Sequence, residues 1–182
     1  VLLSFSCRKD QPSEIIQKPI SINDNGNGIF IINEGTFPYD LASISYLDFS
    51  SGNIIEDLFF QSNNYDLGSV CQSLNVFNNR AYIVVNNSSK IEVCDPNTLQ
   101  KIATISGFIS PRYFLPINNS KAYVSDLYAN SISIVDLNNN QIIGSIACPA
   151  GSEQMIEIYG KVYVTNLNTD YLYIINTLTD AI

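Results

Sequence analysis

The chain has 182 residues, 46% of them hydrophobic and only 14% charged. That is too apolar for disorder, too polar for a membrane bundle, and suited to one domain of ordinary size. Nine Lys and Arg stand against 17 Asp and Glu, a formal charge of −8, so counterion release gains nothing on DNA or RNA and no nucleic-acid partner is expected.

The chain opens VLLSFSC and continues RKDQPSE, with no initiator Met. An apolar run that ends in small residues and a Cys, followed at once by a polar tract, reads as the tail of a bacterial lipoprotein signal peptide. Residues 1–7 are then the signal tail, with Cys7 lipidated and the membrane reached through that anchor only. Ser4 stands where such signals usually carry Leu, and Leu3 lies one place further back. The competing reading is a short buried N-terminal strand, against which Arg8, Lys9 and Asp10 argue. Residues 8–28 read as a flexible tether kept irregular by Pro12 and Pro19. NDNGNG at 23–28 precedes a strand rather than opening a helix, so it is a linker or turn and not a phosphate loop.

From residue 29 onward one phrase recurs. Phe30, Tyr82, Tyr123 and Tyr163 each sit in an apolar strand, the last three spaced about forty residues apart. Each copy is followed by a second strand and then an acid or its amide: Asp48, Asp95, Asp136 and Asn176. The first copy is the longest, through an insertion around GTFPYDLAS. Apolar residues alternate with polar ones, as in Ser131, Ile132, Ser133 and Ile134, which fits strands and not a helical solenoid. A period near 40 with four short strands per unit predicts an all-β chain, a β-propeller of four-stranded antiparallel blades. About three and a half blades are present. The last copy stops after its third strand, so the reading expects a longer chain, with an unpaired edge left open here.

The recurrent acids fall in tight turns, DPNTLQ and DLNNNQ among them, and are expected to brace those turns rather than to catalyse. The recurrent Tyr is expected to pack between neighbouring blades. Cys71, Cys94 and Cys148 remain once Cys7 is lipidated. Cys94 replaces Val135 and Ile175 of the other copies, as a small apolar residue would. A disulfide between two of the three stays open. No CxxC spacing is present, and no metal site is expected.

Propeller ligands commonly bind the face made by two loop sets. On this parsing the first set is YDLGSVCQS, GFISPRYF and CPAGSEQ, which places Gln72, Arg112, Tyr113, Phe114, Glu153 and Gln154 around the central channel. The second set is VNNSSK, SDLYAN and TNLNTD, which places Asn86, Asn87, Asp126, Tyr128, Asn166 and Asn168 in an outer ring. Amide, hydroxyl and aromatic groups suit a large neutral ligand that bears amides and sugars. The inner positions are equivalent between copies yet chemically different, as a site that reads something would be. Two other readings stand: ordinary solvated loops, and an Arg112–Glu153 pair across neighbouring blades.

VYVTN at 162–166 matches the pentapeptide that names the repeat of YncE-like propellers. IFIINEG at 29–35, AYIVVNNSSKIEVCD at 81–95, SPRYFLP at 110–116, KAYVSDLYANSISIVDL at 121–137 and EQM at 153–155 resemble the YncE-like propeller lipoproteins of Bacteroidetes. The resemblance covers about residues 28–182 and includes loop residues as well as strands. It implies an expected seven blades, with 29–182 as the N-terminal half, and an outer-membrane lipid anchor on the cell surface or the periplasmic face. It further implies a TonB-dependent outer-membrane receptor as partner. The best understood branch, the BtuG-like lipoproteins, makes a corrinoid such as cobalamin the leading ligand.

No enzyme is expected and no cofactor. The chain has no His and no Trp, so the commonest general base is missing and a Ser-His-Asp arrangement cannot be built. The alternatives are a protein-interaction propeller in an envelope complex, and a metal-dependent hydrolase whose His residues would lie in another segment. Fold alone does not choose among them.

Overall fold

The computed structural model describes residues 27–36 and 40–182. The lipidation site Cys7, the signal tail and nearly all of the 8–28 tether lie outside the described residues. Four antiparallel sheets follow one another in chain order. The first contains β1 (Gly28–Asn33), β2 (Ser43–Asp48) and β3 (Ile54–Ile55). The second contains β4 (Cys71–Phe77), β5 (Arg80–Val85), β6 (Lys90–Cys94) and β7 (Lys101–Ser106). The third contains β8 (Pro111–Pro116), β9 (Lys121–Asp126), β10 (Ser131–Asp136) and β11 (Gln141–Ala147). The fourth contains β12 (Ser152–Ile158), β13 (Lys161–Asn166) and β14 (Tyr173–Asn176). Each sheet is an up-and-down meander, with spatial order equal to chain order.

The sheets are blades of a partial propeller. β8 lies against β4 on one side and β12 on the other, so the first strand of each complete blade faces the common axis. Strands buried on both faces must be apolar throughout, and Ala81–Val85 are all buried. The cores lie between blades rather than within them. Tyr82 stacks on Phe114 of the next blade, ring centroids 4.2 Å apart and 12° from parallel. Tyr123 is buried in the cluster shared by the third and fourth blades. Phe30 packs at the edge of the cluster between the first and second. In the first three blades the recurrent aromatic packs between blades, as expected of it; Tyr163 of the fourth is half-exposed.

The recurrent acid braces the turn between third and fourth strands. Asp48 Oδ1 accepts the Ser50 and Ser51 amides, at 2.7 and 3.3 Å. Asp95 Oδ1 accepts those of Asn97 and Thr98, at 2.8 and 3.2 Å. Asp136 Oδ1 accepts from Asn138 N at 2.9 Å, and Asn176 Oδ1 from Leu178 N at 2.9 Å. Each turn ends in a left-handed residue: Gly52, Leu99, Asn140 and Asp180, with φ of 70°, 56°, 54° and 52°.

The first blade departs from the four-stranded expectation. Its fourth strand is the two-residue β3, a helix, α1 (Leu58–Asn63), follows it, and the stretch before β1, where the repeat places a first strand, lies outside the described residues. Leu58 and Phe59 enter the core that the first blade shares with the second. The helix is tied to the second blade: Asn63 Nδ2 donates to Leu99 O at 2.9 Å, and Asn63 Oδ1 accepts Lys101 N at 2.8 Å.

Cys71, Cys94 and Cys148 are buried free thiols. Burial pushes the Cys71 and Cys94 thiols up to about 12, so neither is a nucleophile at neutral pH.

Candidate functional site

The residues expected in the inner loops lie on strands. Gln72 is the second residue of β4, Arg112 of β8 and Glu153 of β12. Each of these strands pairs irregularly at its start: between Cys71 and Ser73, between Pro111 and Phe114, and between Ser152 and Met155. A bulge adds a residue, breaks the alternation and re-aims side chains, and bulges concentrate beside functional sites. The polar residues that made these stretches read as loops are the bulge residues themselves.

The three bulges come together at one mouth of the channel. Arg112 Nε donates to Glu153 Oε1 at 2.7 Å. Arg112 Nη1 donates to Gln72 Oε1, and Gln72 Nε2 reaches Tyr113 OH at 3.5 Å. Gln72, Arg112 and Glu153 thus form a ladder across three blades, with Tyr113 beside it and Gln154 exposed at its end. The backbone joins in: Ser73 Oγ donates to Arg112 O at 2.9 Å. Glu153 is buried and Arg112 partly so, and a charge-assisted pair in that setting is stronger than a surface pair. The Arg112–Glu153 pair, the competing reading of these two residues, is present. It consumes part of the hydrogen-bonding capacity the ring would offer a ligand.

Three expected ligand residues are placed otherwise. Phe114 is buried against Tyr82 and belongs to the inter-blade core, because the bulge turns it away from the channel. Asp126 is 1% exposed. Its Oδ2 accepts the amides of Ile109 and Ser110, and its Oδ1 those of Tyr128 and Ala129, all at 2.9–3.0 Å. It clamps the loop after β9 to the loop before β8 and has no capacity left for a ligand. Asn166 does the same in the fourth blade, donating to Pro149 O at 3.0 Å and accepting from Asn168 N at 2.8 Å. Gly151 permits that approach: its φ is 96°, and a Cβ there would meet Asn168 Nδ2 at 2.7 Å.

Tyr128, by contrast, is 67% exposed. It borders a cleft of about 320 Å³ between the second and third blades, lined also by Val70, Asn86, Asn87, Ser89 and Ile109. These residues flank the starts of β4 and β8 and the ends of β5 and β9, so the cleft opens on the same face as the ladder. Val70 and Ile109 were not foreseen as site residues. Val70 has φ of 60°, an uncommon conformation for a β-branched residue and one that recurs at functional sites. Among the described residues no three His, Cys, Asp or Glu side chains gather as metal ligands would. Among the described residues no helix is long and apolar enough to cross a membrane.

Residues 27–182 match the model of DUF5074, a domain of unknown function. The chain belongs to that family. No curated protein matches it in sequence. Among solved structures, hydrazine synthase of Kuenenia stuttgartiensis superposes with a TM-score of 0.66 at 13% identity, over 97% of this chain and 51% of that one. A quinonprotein alcohol dehydrogenase-like protein of Bacteroides thetaiotaomicron gives 0.60 at 14% identity, over 84% and 36%. Apo AztD of Citrobacter koseri gives 0.56 at 13%, over 85% and 42%. At such identities the likeness is one of fold. This DUF5074 chain spans about half the length or less of the three.

Proposed function

We propose that this DUF5074 chain is the ligand-capture propeller of a YncE-like envelope lipoprotein. In this reading Cys7 carries the lipid anchor at the outer membrane, and the propeller serves a TonB-dependent receptor. Its ligand is large, neutral and rich in amides, with a corrinoid such as cobalamin the first candidate. The supporting observation is the convergence of three strand bulges at one channel mouth. Gln72, Tyr113 and Gln154 are amide or phenol groups, and the one strong charge, Arg112, is neutralised by Glu153. A mouth of that kind favours neutral polar ligands, with the cleft beside Tyr128 as an apolar shelf. The reading is of a binder and not of an enzyme.

The test is calorimetry of the full-length protein with cobalamin and related corrinoids. Binding is expected, and Arg112→Ala and Tyr113→Ala are each expected to weaken it about ten-fold or more. Absence of heat across the corrinoids removes that ligand class. A second reading follows from the ladder being bonded to itself: the bulges then only hold blades together, and the exposed Ile109 and Tyr128 meet a protein partner. It predicts a co-purifying partner whose binding survives loss of Arg112 and Tyr113 but not of Tyr128.

A further inference from the structure

Both walls of the cleft beside Tyr128 belong to complete four-stranded blades, so its openness is not that of an unpaired edge. In the second, third and fourth blades the loop after the second strand bonds the loop before the first strand through one backbone pair. Asn86 N donates to Val70 O at 2.8 Å, Leu127 N to Ser110 O at 2.9 Å, and Leu167 N to Gly151 O at 2.8 Å. Those bonds align the three loop pairs, and the second blade departs from the other two at two places.

The first is the last residue of the second strand, which is Val85, Asp126 and Asn166 in turn. Asp126 and Asn166 fasten their loops through side-chain bonds. Val85 has no polar atom for this. Among the described residues the one side-chain bond across its loop pair is Ser69 N donating to Ser88 Oγ at 3.1 Å, and Ser69 Oγ is buried without a partner. The second place is Val70, where the other blades have Ser110 and Gly151. Val70 is buried with φ of 60°, and Gly151 has 96°. Glycine reaches positive φ without steric cost and a β-branched residue does not. What valine adds at that place is an apolar wall for the cleft.

Other lining side chains join the two walls. Asn86 Nδ2 donates to Ser110 Oγ at 2.8 Å and to Pro111 O at 3.0 Å, and Ser89 Oγ donates to Ile109 O at 2.8 Å. Two lining groups stay uncommitted. Among the described residues the exposed Asn87 amide and the Tyr128 hydroxyl have no hydrogen-bond partner.

We infer that this cleft is a carbohydrate subsite that takes one neutral sugar ring, the terminal residue of a longer glycan included. A sugar ring has a C–H face that lies on aromatic and aliphatic groups, here Tyr128, Ile109 and Val70. Hydroxyls at its edge both donate and accept, as the Asn87 amide does. A wholly apolar ring would strip water from that amide and return no bond. No charged side chain lines the cleft, so a uronic or sialic acid gains no partner there. Its volume of about 320 Å³ lies at the lower bound of ligand pockets, room for one ring rather than an extended chain. In the capture reading the cleft is a shelf beside the mouth; as a sugar subsite it has a ligand group of its own.

The test places the full-length protein on an array of glycans that end in neutral hexoses, deoxyhexoses or N-acetylhexosamines, beside others that end in uronic or sialic acid. Retention of neutral termini and not of acidic ones is expected. Saturation-transfer NMR with the free monosaccharide of the retained terminus then measures affinity. Tyr128→Ala is expected to weaken binding about ten-fold, Asn87→Leu about five-fold, and Tyr128→Phe less than about two-fold, since the ring face and not the hydroxyl carries the stacking. Tyr128 and Asn87 are both exposed, so these variants do not threaten the fold. Retention of no neutral glycan, equal retention of acidic termini, or native affinity in Tyr128→Ala would each overturn the inference. The two readings fail separately: silence with corrinoids alone removes the ligand proposed for the mouth, and silence with neutral glycans alone removes the subsite.

Discussion

The outer rim and the channel mouth use one repeat in opposite ways. At the rim, Asp48, Asp95, Asp136 and Asn176 occupy one place in four blades and make one bond, side-chain oxygen to the amide two residues on. At the mouth, Gln72, Arg112 and Glu153 also occupy one place, and each is chemically different. A position that stays constant through a repeat answers a demand every blade makes, which is to turn. A position that varies while its geometry stays fixed answers no such common demand. The difference separates the residues that build the propeller from those free to give it a purpose.

The sharpest break in that comparison is at Asp126, a mouth-side residue that behaves like a rim residue. It is buried and accepts four backbone amides. Asp126→Ala leaves those donors without their partner and is expected to cost about 3 kcal/mol. The thermal midpoint should fall accordingly, with the loops on both sides of the cleft losing hydrogen-exchange protection. A neutral Asp126→Ala in chemical denaturation would mean that the clamp holds nothing.

Less is expected from the ladder. Arg112→Leu strands the buried Glu153 carboxylate, at a cost of about 1–2 kcal/mol given the partial exposure of the pair. Arg112→Leu combined with Glu153→Leu should recover most of that loss, because neither charge is then buried alone. A double-mutant cycle reads the coupling directly. Full recovery of stability with loss of ligand binding would mark the ladder as a recognition element. Full recovery with binding intact would return it to the class of structural braces.

Much of the propeller was legible in the sequence. The tyrosine period and the acid that follows it are local, repeated signals, and inter-blade packing and turn bracing both followed from them. The helix Leu58–Asn63 was not legible, because its six residues are too few for a helical period and the strand before it is only Ile54–Ile55. The mouth was legible in position but not in form. Gln72, Arg112 and Glu153 read as loop residues since a bulge breaks the alternation by which strands are recognised. The same bulge hid the inward turn of Phe114. Asp126 looked available because sequence does not show which amides a carboxylate will meet across a loop. Val70 and Ile109 carry no chemical signal at all and reach the cleft only through the fold.

The smallest effect concerns protons at the rim. Asp48 is held below its ordinary value of 3.8, chiefly by the Ser50 amide, and Asp136 chiefly by the Asn138 amide. A carboxylate depressed in the folded state contributes stability that is present above the unfolded value and is lost as the pH falls through the folded one. The native chain should therefore hold its midpoint from neutrality down to about pH 4 and lose it below, with Asp48 and Asp136 each adding to the slope. Asn176 shows how to remove that slope without removing the brace, since its amide oxygen accepts from Leu178 N at 2.9 Å with no proton to take up. The double variant Asp48→Asn and Asp136→Asn is accordingly expected to match the native midpoint at pH 7 and to exceed it at pH 3, in circular dichroism melts across that range. Parallel curves would mean that the rim acids act by shape alone. The fourth blade's Asn would then differ from the other three in name and not in physics.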